Sequence, residues 1–375
     1  MSSPLSPEMA SILADSAYAT LGSPTPAFDA AREAGGSRSA FDVGASSVFT
    51  GITGFGVSSN FGYCAFGSTP QRQGECLISV RGTDLIGDWL TDARLSGTRG
   101  PNGHMVHKGF RKLNDVILPQ VKRALKNKNP SAIHIVGHSL GGAVATLLAD
   151  SLKDHSKLYL YTFGAPRAGS INHAAYLTNK LGVQNIYRVY HDTDPVPMVP
   201  IFPYGHCPAA DHGYMLKGTG MVISPGAHSM SLYKRNAKAS WSSMQTVAHR
   251  RFSLETVDDV LQQAGAIPGG YLSSLLMRLI VKALSMIMDA AGMTAGLALL
   301  GTATIADQIA YVLSRGVAMV GATADLLERL IHQIMRFVGI AVNKAVSFTA
   351  TFLKWLTEKL FATMMMLARQ ATRGQ

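Results

Sequence analysis

One five-residue stretch constrains this chain more than any other: Gly137-His138-Ser139-Leu140-Gly141, a G-x-S-x-G pattern set between a strand-like run, Ile133-His-Ile-Val136, and a good helix former, Gly142-Ala-Val-Ala-Thr-Leu-Leu-Ala149. A strand that turns into a helix within so few residues forces the central Ser into a strained backbone conformation. Side chains two positions either side of it would collide where strand and helix crowd together. Gly137 and Gly141 remove that collision and form the elbow. The Ser139 hydroxyl is then lifted above the edge of a sheet, and the helix that follows aims its N-terminal N–H groups at the same place, with Leu140 N–H as a natural oxyanion donor. The pattern alone is weak; its setting predicts Ser139 as a nucleophile.

The rest of the chain supplies a sheet to carry the elbow. Cys76-Leu-Ile-Ser-Val80, Leu158-Tyr-Leu-Tyr-Thr-Phe163 and Ile186-Tyr-Arg-Val-Tyr190 read as further strands alternating with helical stretches, which predicts an α/β domain built on a mostly parallel, doubly wound sheet. The turn-rich segment Ala264-Gly-Ala-Ile-Pro-Gly-Gly270 marks a change of composition. We therefore expect an α/β domain over 1–264 with an N-terminal helix, followed by an all-helical region over 265–375 in which Leu, Ile, Met and Ala recur at helical spacing. That region either packs on itself and on the sheet or presents a face to membrane or a partner. With 47% apolar and 15% charged residues over 375 positions, disorder is excluded.

A serine hydroxyl needs an imidazole to take its proton, and the imidazole needs a carboxylate to fix its tautomer. In a sheet of this kind both follow the Ser in the chain, in the order acid then His, on loops at the C-terminal edge. The segment His191-Asp192-Thr193-Asp194-Pro195-Val196-Pro197 follows a strand. Asp194 is preferred over Asp192 because Pro195 and Pro197 stiffen its loop. The His candidates beyond it are His206, His212, His228 and His249; His228 is preferred, since it follows a Pro-Gly turn and opens a helical stretch.

A second oxyanion donor is expected from Thr83, in the turn after the strand ending at Val80. Immediately downstream, Leu85, Ile86, Trp89 and Leu90 share one helical face and make a candidate lid that would cover the site in water and swing out at a lipid surface. His206, Cys207, Asp211 and His212 bear metal-ligating side chains without a recognised zinc spacing, so no metal is expected. Neither a G-x-G-x-x-G with a distal acid nor a G-x-x-x-x-G-K is present, and acyl transfer by Ser needs no cofactor. Three cysteines, Cys64, Cys76 and Cys207, make no disulfide framework and are expected to be free.

Taken in order, Val80-Arg-Gly-Thr83, Val106-His-Lys-Gly-Phe110, Val136-Gly-His-Ser-Leu-Gly-Gly142, Thr162-Phe-Gly-Ala-Pro-Arg167, Asp194-Pro-Val-Pro-Met-Val-Pro200 and His228-Ser-Met-Ser-Leu-Tyr233 resemble the class 3 lipase family of α/β hydrolases over roughly residues 40–250. The resemblance implies an α/β-hydrolase fold, a Ser139, Asp194 and His228 triad, an oxyanion hole from Thr83 and Leu140, and a lid starting just after Thr83. His212-Gly-Tyr214 looks like the segment that separates acid and His in that family. Residues 265–375 resemble, without a motif, the added helical regions of bacterial phospholipase A1 enzymes and of lipase effectors of the type VI secretion system.

The formal charge of +11 and a pI near 9.6 favour anionic partners. Joined to the resemblance, this makes a phospholipase A1-like esterase acting on glycerophospholipid at a membrane surface the expected function, with no nucleic-acid partner. A neutral-glyceride lipase or carboxylesterase, a toxin that inserts its C-terminal helices, and a binding module without turnover are the alternatives. Met1–Ser16 has no basic residue ahead of an apolar stretch, and Pro7 and Glu8 interrupt it, so the expectation is a protein without a signal peptide, made in the cytoplasm and exported by a leaderless route. An enzyme of that kind would endanger its own cell, which leads to the expectation of a delivered antibacterial effector restrained by an immunity or accessory protein.

Overall fold

The computed structural model describes residues 2–23, 25–35, 40–52, 58–83, 97–209, 212–218, 220–244, 246–247, 254–267, 269–291, 304–318, 321–341 and 347–373. In chain order the strands are β1 (Ser47–Ile52), β2 (Ser58–Phe66), β3 (Glu75–Val80), β4 (Gly97–Arg99), β5 (Met105–His107), β6 (Ala132–His138), β7 (Lys157–Phe163), β8 (Gly169–Ser170), β9 (Ile186–His191), β10 (Tyr204–Gly205), β11 (Gly213–Leu216) and β12 (Thr246–Val247). Eight of them form one sheet in the order β1-β2-β3-β6-β7-β9-β11-β12, and the other four form a small sheet ordered β10-β8-β5-β4. From β3 to β11 every pairing in the large sheet is parallel, and the antiparallel β1, β2 and β12 close its two sides.

The central strands are buried on both faces, which is why they read as continuous apolar runs rather than alternating ones. Alternation survives in the type of side chain. Cys76, Ile78, Val80, Leu158 and Leu160 face one way and pack with Ile117, Val121, Val144 and Leu148 from the helices Lys108–Leu125 and Leu140–Leu152. Leu77, Tyr159, Tyr161 and Phe163 face the other way, against Ala10, Leu13 and Tyr233 from the helices Pro7–Ser16 and Met230–Asn236. The fold class read from the sequence, a mostly parallel sheet with helices on both faces and a helical C-terminal part, is the one observed. All three cysteines are free and buried.

The N-terminal segment is pinned across the aromatic side. Leu5 N–H donates to the Tyr161 hydroxyl (2.7 Å), Arg72 donates to the Ser3 carbonyl (2.6 Å), and the Trp241 indole donates to the Leu5 carbonyl (2.7 Å). This strap carries the chain through the helix Pro7–Ser16 to Tyr18, at the edge where the functional loops gather.

Beyond the sheet the helices Leu254–Gly265, Ser274–Ala290, Ile305–Val317, Ala322–Phe337 and Ala350–Thr372 pack on one another, and their inner residues join the aliphatic core cluster of the sheet. The helix Leu254–Gly265 packs on Ser274–Ala290 and Ala322–Phe337, and we place it with this helical layer. Lys354 bridges to Asp307 at 2.6 Å, tying the last helix to Ile305–Val317. Among the described residues no helix is long and apolar enough to cross a membrane.

His107 is one of the buried groups that make stability depend on pH. His107 is fully buried, its ring 4.2 Å from that of Phe110, and neither ring nitrogen has a hydrogen-bond partner among the described residues. Burial lowers its pKa from 6.5 to about 4. Between those values the unfolded chain takes up a proton that the folded chain refuses, so stability falls as the pH drops through the window. The share due to His107 is about 2 kcal/mol between roughly pH 7.5 and pH 5, read as the difference in urea midpoints between the protein and a variant lacking this imidazole. His107→Leu should make that part of the profile shallower, and an unchanged slope in the variant would rule His107 out as a source of it.

Candidate active site

Ser139 stands between β6 and the helix Leu140–Leu152 with φ 57° and ψ −131°, a left-handed conformation for a residue with a side chain. The turn is held by the Ser139 N–H donating to the Phe163 carbonyl at 2.9 Å. A Cβ on Gly137 would be driven into the Gly141 carbonyl, and one on Gly141 into the carbonyls of Val80 and Arg81. Strand and helix thus meet where the sequence demanded bare backbone.

Asp194 lies three residues past the end of β9 and is completely buried. Its Oδ1 accepts the Val196 N–H at 2.9 Å, while Oδ2 faces the Nδ1 of His228 at 2.8 Å. His228 sits in the 3-10 turn Pro225–His228, and its Nε2 is 2.7 Å from the Ser139 hydroxyl. A carboxylate only accepts, so Nδ1 carries the proton and donates it to Asp194; Nε2 then accepts from the hydroxyl. The structure brings Ser139, His228 and Asp194 into one hydrogen-bonded line, and all three side chains are sealed from solvent.

Three residues to which the sequence assigned no role complete the arrangement. Tyr233 donates to Asp194 Oδ2 at 2.7 Å and accepts the His191 N–H at 3.0 Å; burial and the neighbouring Asp194 push its phenol well above the usual range. His138, the variable residue before the Ser, stacks on His228 with ring centroids 4.7 Å apart. Its Nε2 donates to the His228 carbonyl at 2.9 Å, which leaves Nδ1 to accept from the Tyr18 hydroxyl at 2.6 Å. Burial, and then the adjacent His228, hold this imidazole far below its ordinary pKa, so it is neutral. Tyr18 in turn accepts the Gly82 N–H at 3.1 Å. Tyr18 therefore links the His228 loop to the turn that carries Thr83.

Thr83 is buried in that turn, and Gly82 lies so close to the elbow that a Cβ there would stand 2.9 Å from the Ser139 Cβ. Leu140 is the first residue of its helix, where N–H groups have no intrahelical partner. The lid candidates Leu85, Ile86, Trp89 and Leu90 lie outside the described residues, as do His249 and Asp211. Asp192 is occupied elsewhere, accepting the Gly218 N–H at 2.6 Å, and His206 donates through Nε2 to the Pro197 carbonyl at 2.7 Å. His212 directly precedes β11. Among the described residues no group of three or more His, Cys, Asp or Glu is arranged to hold a metal.

Residues 77–204 match the family model described as Lipase (class 3). Over 165 residues the chain is 36% identical to secreted mono- and diacylglycerol lipase 1 of Fusarium solani, a match covering 41% of this chain and 49% of that protein. Residues 77–204 are similar to the class 3 lipases. The matched span holds Thr83, Ser139, Leu140 and Asp194; His228 lies beyond it. Over 152 residues the chain is also 30% identical to phospholipase A(1) DAD1, chloroplastic, of Arabidopsis thaliana, covering 34% of each protein. Among solved structures it is similar to the lipase from Rhizopus microsporus var. chinensis, with 21% identity, a TM-score of 0.45, and coverage of 66% of this chain and 79% of that one. The chain spans about half the length of the first curated relatives it matches. Those relatives, from Fusarium solani and Penicillium cyclopium, are named as secreted lipases, which overturns the expectation of a leaderless protein made in the cytoplasm. The absence of a basic, uninterrupted apolar start was too little to carry that expectation.

Proposed function

We propose that the protein hydrolyses carboxyl esters of lipids through Ser139 and that glycerophospholipid is its substrate. The observation that carries the reaction type is the hydroxyl–imidazole–carboxylate line, 2.7 Å from Ser139 Oγ to His228 Nε2 and 2.8 Å from Nδ1 to Asp194. Ser139 Oγ attacks the ester carbonyl while its proton passes to Nε2. The oxyanion is held by the N–H groups of Thr83 and Leu140. Nε2 returns the proton to the leaving alkoxide as the C–O bond breaks, and water then releases the acyl group by the same steps in reverse order. Asp194 and Tyr233 keep the imidazole in the tautomer that both halves require.

Phospholipid is favoured over neutral glyceride by the charge on the helix Lys108–Leu125. Its buried face is Phe110, Leu113, Ile117 and Val121, leaving Lys108, Lys112, Lys122 and Arg123 exposed, with Lys126 and Lys128 following. Each such residue near an anionic bilayer contributes about 1 kcal/mol of attraction. Initial rates on anionic phospholipid vesicles and on emulsified diacylglycerol should differ in favour of the vesicles, with the preference shrinking as salt is added. Faster turnover of the glyceride at every salt concentration would overturn the substrate assignment while leaving the reaction type intact.

A further inference from the structure

The last helix, Ala350–Thr372, packs on the turn Pro225–His228 that carries the imidazole and on Val196–Met198, just past the acid. Two cavities flank its final turn. The larger, about 620 Å³, is walled by Val199, Ile201 and Ile305 on one side and by Phe361, Met365 and Met366 on the other. The smaller, about 420 Å³, has Asp15, Tyr18, Ser229 and Ser231 in its lining beside Pro225 and Met230. Gln370 and Arg373 border both, so one helical turn stands between the apolar chamber and a second cleft beside the His228 loop.

We propose that the apolar chamber seats the acyl chain of a glycerophospholipid and that the last helix, outside the span matched to the lipase family, forms one of its walls. This inference rests on the lipid-ester reading above. The size suits a small hydrophobic ligand, and the methionines on the helical wall can adapt to a flexible chain. Charge gives the orientation. Glu358 lines the chamber about three turns before Arg369 and four before Arg373 along the helix, and Arg373 also lines the second cleft. The phosphate of a phospholipid is drawn to the arginine end, next to the catalytic loops, and its acyl chain runs along Phe361 toward the glutamate end.

Ala362 and Met366 line the chamber and are exposed on the helix, so replacing them spares the core. Ala362→Trp fills the chamber and Met366→Asp places a charge in it. The measurement is the ratio of hydrolysis rates for 4-nitrophenyl hexadecanoate and butanoate. Both substitutions should lower that ratio by about tenfold or more, because each methylene displaced from an apolar site costs about fourfold in affinity. A ratio unchanged in both variants, or an equal fall for the two esters, overturns the chamber as an acyl site. Failure of the lipid-ester reading would show separately, as absence of butanoate turnover by the unaltered protein, and the inference would fall with it.

Discussion

Replacing Ser139 by Ala is expected to reduce ester hydrolysis by roughly 10⁴- to 10⁶-fold, the range seen when the nucleophile of a Ser-His-Asp site is removed. The substitution deletes one oxygen at a buried position whose backbone is already held by the Phe163 carbonyl and by Gly137 and Gly141, so the thermal midpoint should move little. Whatever turnover remains measures what the oxyanion donors and substrate binding achieve without a nucleophile. Activity within tenfold of the unaltered protein would take Ser139 out of the mechanism. Dye release from phospholipid vesicles, run on the same variant, separates hydrolysis from membrane insertion. Undiminished leakage would assign membrane damage to the helical layer instead.

Asp194→Asn is expected to lower kcat by about 10⁴-fold with KM little changed. The amide fits the same space, but its NH₂ can donate to Nδ1. This favours the tautomer with the proton on Nε2, which cannot accept from Ser139. Here the carboxylate is also the acceptor for the Tyr233 hydroxyl at 2.7 Å and the Val196 N–H at 2.9 Å, so the amide faces three neighbours that all require an acceptor. The imidazolium formed during acyl transfer would also lose its counter-charge in a site with no exposure to water. A fall of less than tenfold would show that Asp194 acts only in packing its loop.

Much of this arrangement was legible in the sequence because it depends on local, repeated constraints. Strands buried on both faces leave apolar runs, and an elbow that tolerates no Cβ leaves Gly137 and Gly141. A triad whose members come after β6, β9 and β11 in turn leaves Asp194 and His228 in the required order. The small sheet escaped notice because β4, β5, β8 and β10 are two or three residues long and carry no periodicity. Tyr233 and His138 lay within quoted motifs, and the signal for a role was a hydrogen-bonding side chain one residue from the nucleophile or five from the imidazole. Tyr18 left no such signal. Its partners, His138 and Gly82, are 120 and 64 positions away in the chain, and only the folded strap of the N-terminal segment brings them together.

That strap makes proteolytic clipping an expected route to loss of the site's geometry without any cut in residues 77–204, the span matched to the lipase family. Scission between Leu5 and Tyr18 would free the tyrosine from the clamp formed by Tyr161, Arg72 and Trp241. His138 would then lose the donor that sets its ring, and the turn bearing Thr83 would lose its tether.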